Sequence, residues 1–163
     1  MLEFLATALN GKLPEWISAV GALAAVLGVG FVWKQIKLTK EIAQLEFEDG
    51  LAKEYRELAS RIPTKALLGA GLSPKEYKDT FDELFRYVDL SNEQISLRSR
   101  DRIRDETWSQ WLQGIKFNMR LPAFHRAWMD IQKAVPTQFS ELRDLLSPDF
   151  GDDPKVWKKE DLP

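Results

Sequence analysis

The apolar positions of this chain change rhythm twice. From Trp16 to Trp33 (WISAVGALAAVLGVGFVW) 18 residues carry no charge, and apolar side chains fall on every side of a helix. From Lys34 the apolar residues thin to one stripe: Leu38, Ile42 and Leu45, then Leu51, Tyr55, Leu58 and Ile62, each set at i, i+4, i+7 or near it. A skip at Glu48-Asp49-Gly50 interrupts the stripe. Pro63 ends it, and beyond lie shorter helical stripes separated by Pro and Gly. No alternating strand pattern of useful length occurs, and no internal repeat. The pattern predicts an all-α protein: a short amphipathic N-terminus (1–12) stopped at Asn10-Gly11, a transmembrane helix (13–33), a stalk helix (34–62), a small cytoplasmic helical bundle (63–146) and a flexible tail (147–163).

The length of the uncharged stretch carries the membrane reading. Eighteen helical residues rise about 27 Å, and a helix begun at Leu13 about 31 Å, against a hydrocarbon core about 30 Å thick. Trp16 and Trp33 stand where amphipathic rings favour the headgroups, and Ser18 can bond back to its own helix. A buried soluble helix of this length would carry some polar positions. A cleaved signal peptide would need a basic start and a shorter apolar run, whereas only Lys12 stands before Trp16 against Glu3 and Glu15. Ala22-Leu23-Ala24 imitates a cleavage site but lies mid-segment. Lys34, Lys37 and Lys40 follow the span, so the positive-inside rule puts the N-terminus outside and residues 34–163 in the cytoplasm. Gly21, Ala24, Ala25 and Gly28 share one face at i, i+3, i+4, i+7, a spacing that lets two backbones approach closely in lipid.

The stalk charges balance, six basic against six acidic over 34–61. Its stripe predicts pairing with a second copy or packing on the domain beyond. Ser73-Pro74-Lys75-Glu76 predicts a capping box with Pro at the first helical position. The helix it opens presents Tyr77, Phe81, Leu84, Phe85, Val88 and Ile95 and runs to about Leu97. Asp105 is expected to cap a helix burying Trp108, Trp111, Leu112, Ile115 and Met119. Pro122 opens the next, with Phe124, Ala127, Trp128 and Ile131, and Val135-Pro136 ends it. A last short helix, about 137–146, presents Phe139, Leu142, Leu145 and Leu146. The tail is rich in Pro, Gly and Asp, though Phe150, Val156 and Trp157 could strap it to the bundle.

Composition narrows the chemistry. The chain has 163 residues, no Cys and one His, His125, which removes disulfides, thiolate metal sites, cysteine nucleophiles and multi-histidine metal centres. The net charge of −2 argues against nucleic-acid binding by the whole molecule. Asp79, Asp82 and Glu83, and Asp105 with Glu106, sit in or near first helical turns, where carboxylates serve the helix dipole. Gly69-Ala70-Gly71 lacks the Lys-Ser/Thr of a phosphate loop. No catalytic, cofactor or metal site is expected. The sharpest local charge is Arg98, Arg100, Arg102 and Arg104. Guanidinium groups suit phosphate, so this cluster is the candidate contact for lipid headgroups, a nucleotide or an acidic partner. The alternative is a solvated helix end.

The stretch from Phe81 to Ile131 resembles a family of small bacterial membrane proteins with one N-terminal span and a cytoplasmic helical domain. The matching pieces are Phe85-Arg86-Tyr87-Val88, Asn92-Glu93, the turn from Arg102 to Trp108, and Leu121-Pro122-Ala123-Phe124 leading to Trp128. The resemblance implies fold and a bacterial inner-membrane location, and brings no catalytic residues. Many such proteins carry Gly where this chain has Asp101. The combined expectation is a non-enzymatic single-pass protein whose partners are lipid and a second copy or a larger membrane complex. The alternative is a nucleotide-sensing membrane effector of defence type.

Overall fold

The computed structural model describes residues 27–148 and 151–157 in full, and of residues 2–26 only that they continue a helix. Among the described residues all regular structure is helical: α1 (Leu2–Ala59), α2 (Thr64–Leu67), α3 (Pro74–Ser99), α4 (Asp105–Asn118), α5 (Pro122–Ala134), α6 (Ser140–Leu146) and a 3-10 turn at Pro154–Val156. The chain divides into two units, 1–43 and 44–163.

In the first unit the large side chains from Leu27 onward lie open: Leu27 is 72%, Phe31 63% and Ile42 47% exposed. Among the described residues no helix is long and apolar enough to cross a membrane. The candidate span supplies only residues 27–33 to that set. Trp16, Gly21, Ala24, Ala25 and the amphipathic N-terminus lie outside the residues whose side chains are described. The expected stop at Asn10-Gly11 is not one, and no boundary separates span from stalk: α1 is a single helix. Carrying a helix through one Gly costs about 1 kcal/mol, less than nucleating a new helix beyond it.

The second unit is built around α3, which packs against α5, α6 and the 3-10 turn. Leu84, Ile95, Phe124, Ile131 and Leu142 are fully buried among them, each stabilising the fold by roughly 1.5–3 kcal/mol. The end of α1 joins this core through Leu51 and Leu58. Ser73 caps α3 as its sequence predicts: its hydroxyl accepts from the Glu76 N–H, and the Glu76 carboxylate accepts from the Ser73 N–H. Lys65 beside Glu76, with the Ser73 donors, holds that carboxyl down at about 2. Pro122 opens α5 as expected.

Other expectations are corrected. Residues 64–72 (TKALLGAGL) read in the sequence as a Gly-containing connection, and they contain the short helix α2. The last helix starts at Ser140, because Phe139 turns left-handed at φ 57°. Its N-terminus is capped from outside, by Asn92 of α3, whose Oδ1 accepts from the Leu142 N–H at 3.0 Å. Asp105 is the first residue of α4 rather than its cap, and Arg104 holds the cap position with no side-chain cap bond. Residues 151–157 form a strap rather than a loose tail. It is fastened by Asp152, Asp153, buried Pro154 and Trp157, which packs against the core, and not by Val156, which lies open; Phe150 lies outside the described residues.

Candidate functional site

Three features stand out in the second unit: the arginine turn, a cleft and a groove. The turn begins where α3 ends. The Asp101 N–H donates to Arg98 O and the Arg102 N–H to Leu97 O, both at 3.0 Å. This paired closure places Asp101 in the left-handed region, φ 57°, the usual place of Gly. The turn is therefore tight although Asp stands there, and the Asp101 carboxylate meets Lys155 at 2.7 Å.

The tight turn sends the four arginines to different fates. Arg98 is buried, and grips Asp153 of the strap with two parallel bonds, Nε to Oδ1 at 2.7 Å and Nη2 to Oδ2 at 2.6 Å. Its Nη1 donates to Ile103 O at 2.8 Å and to Asp105 Oδ1 at 2.7 Å. The bonds to Asp153 push the Arg98 pKa up, beyond what burial takes away, and the Asp153 carboxyl is held down in return. Arg104 reaches α1: its N–H donates to Glu48 Oε1 at 2.7 Å and its Nε to Oε2 at 2.9 Å. The Thr107 hydroxyl donates to Glu48 Oε2 at 2.6 Å. Burial alone would raise the Glu48 pKa, but the Arg104 and Thr107 donors outweigh it and the net shift is downward. Arg102 is exposed, its guanidinium carbon 5.9 Å from the Phe47 ring centre. Arg100 is exposed. The structure thus commits two of the four arginines to internal ion pairs and does not converge the four on one pocket.

The cleft, about 620 Å³, lies where α4, α5 and α6 meet the chain after Leu146. Trp128 and Met119 line its apolar part, and Arg120 and exposed His125 its rim. Lys116 reaches Asp152 across one side.

The groove, about 280 Å³, lies between α1, α3 and α4. Tyr87 and Gln94, two residues of a buried polar stripe on α3, line it. Tyr87, Ser91, Gln94 and Arg98 recur at i, i+4, i+7 and i+11, and all four are buried. Asn118 Nδ2 donates to the Tyr87 hydroxyl at 3.1 Å, and burial pushes that phenol up to about 12. Gln94 lines the groove beneath Tyr55 of α1 and Trp111 of α4.

Sequence reasoning missed Glu48 and Gln94. The skip in the α1 stripe was the signal for the first: Glu48 lies three residues from both Leu45 and Leu51, on the stripe, so a charge there demands an internal partner. Gln94 beside Ile95 on a buried face was the signal for the second. No family model, no curated protein and no solved structure matches the chain.

Proposed function

We propose that this chain is a single-pass membrane anchor that holds a small all-α interaction domain at the cytoplasmic face of a bacterial inner membrane, N-terminus outside. It assembles there as a homo-oligomer or as an accessory subunit of a membrane complex. The uncharged run from Trp16 to Trp33, bounded by Glu15 and Lys34, carries the reading. The exposure of Leu27, Val29, Phe31, Val32 and Trp33 supports it. These residues surround the helix, leaving no polar face, and such a helix needs an apolar environment on all sides.

Association rests on register. Gly28, Phe31, Gln35, Leu38, Ile42 and Leu45 recur at alternating steps of three and four, and Gly21 and Ala24 continue the rhythm upward. That is the seam two helices share when they wind together. The nucleotide-sensing alternative drew on Arg98–Arg104. Ion pairs with Asp105, Asp153 and Glu48 occupy two of those arginines, and the anchor reading is the better supported.

Native mass of the full chain in gentle detergent tests the assembly. A multiple of the 18.8 kDa protomer, or a stable complex with another subunit, is the expected result. A clean monomer with nothing bound contradicts it.

A further inference from the structure

Gln94 is only 6% exposed, and among the described residues its amide has no hydrogen-bond partner. Leaving a buried amide unpaired is costly. No fully buried side-chain nitrogen or oxygen is left without a partner, so the Gln94 amide must keep a narrow opening to solvent. The opening it lines is the groove between α1, α3 and α4. Tyr55 and Trp111 supply aromatic surface there, and Gly114 leaves the α4 side open, since a Cβ at that position would meet nothing within 4 Å. The lining holds one formal charge, that of Arg56, and no carboxylate. Arg56 forms no ion pair among the described residues.

A carboxamide presents one donor and one acceptor side by side, which matches the N6/N7 edge of adenine. Aromatic side chains stack bases, and a guanidinium without an acidic partner suits phosphate. The volume falls just below the range of drug-sized pockets, about 300–1,000 Å³, and accommodates a base with its sugar while the phosphate stays at the rim. We infer that this groove binds an adenine mononucleotide, with the base read by Gln94 and faced by Trp111 and Tyr55, and the phosphate at Arg56. The site is separate from the arginine turn and stands whether or not residues 1–43 cross a membrane.

Calorimetric titration of the full chain in nanodiscs, with AMP, adenosine and ribose 5-phosphate as probes, tests it. AMP is expected to bind, and ribose 5-phosphate to bind at least about tenfold more weakly. Gln94→Leu and Gly114→Leu should each weaken AMP about tenfold or more. Gly114→Leu fills open space on a helix surface and keeps the fold, which circular dichroism checks. Arg56→Gln should weaken AMP and leave adenosine unchanged. No heat from AMP at about 1 mM, equal binding of ribose 5-phosphate, or unchanged AMP affinity in the folded Gly114→Leu variant would overturn the inference.

Discussion

The helix α1 carries two apolar stripes that the fold treats differently. In residues 27–43 the stripe is bare, with Leu27, Phe31 and Ile42 open to the surroundings. In residues 51–58 it is covered, with Leu51 and Leu58 at 7% and 6% exposure in a core shared with α3. An apolar face states only that something must cover it. At Leu51 and Leu58 the cover lies within the same unit. Over residues 27–43, we propose, the cover is lipid and a second helix.

The largest expected effect separates the two stripes directly. Leu58→Ala should destabilise the helical domain by about 2–4 kcal/mol in urea titration of the full chain in detergent. Leu38→Ala should change that stability by less than about 0.5 kcal/mol while shifting the native mass toward protomer. Equal losses of domain stability at both positions would erase the distinction.

Next in size is the half-buried ion pair that ties α1 to the arginine turn. Arg104→Ala leaves the buried Glu48 carboxylate with only the Thr107 hydroxyl and a backbone N–H, and should lower the urea midpoint of the domain, by less than Leu58→Ala does. The same pair sets a pH dependence. Glu48 and Asp153 titrate lower in the folded chain than their ordinary values of 4.5 and 3.8. As pH falls the unfolded chain takes up protons first, so their stabilisation is full above about pH 5 and is lost as pH drops through the lowered folded values. Glu48→Gln should flatten part of that decline in acid titrations followed by circular dichroism. An unchanged slope would mean that the pair does not anchor α1.

The smallest effect concerns the turn. Asp101→Gly relieves a left-handed residue, worth about 1 kcal/mol, but removes the contact with exposed Lys155, which solvent screens. A net gain below about 1 kcal/mol in the urea midpoint is expected, and a clear loss would show that the Lys155 contact governs the turn.

The sequence announced elements whose causes are local. Ser73, Pro74 and Glu76 cap α3 through bonds within four residues, and Pro122 starts α5 by its own ring. It was less informative where the cause is distant in sequence. Asn92 caps a helix 50 residues away, and Asp153 reaches Arg98 across 55. An arginine cluster read as a surface therefore turned out to be half internal. Asp105 looked like a cap because Asp favours that role, but Arg98 draws its carboxylate instead. The groove was not legible, since Gln94, between Glu93 and Ile95, reveals its missing partner only once helices from three parts of the chain are brought together.

The placement of the Trp16–Trp33 segment is tested most directly by alkaline carbonate extraction of cell membranes, combined with protease added outside intact spheroplasts. The chain should stay in the membrane pellet, and residues 34–163 should remain whole until the spheroplasts are opened. Release by carbonate, or trimming of the helical domain from outside, would contradict the membrane anchor.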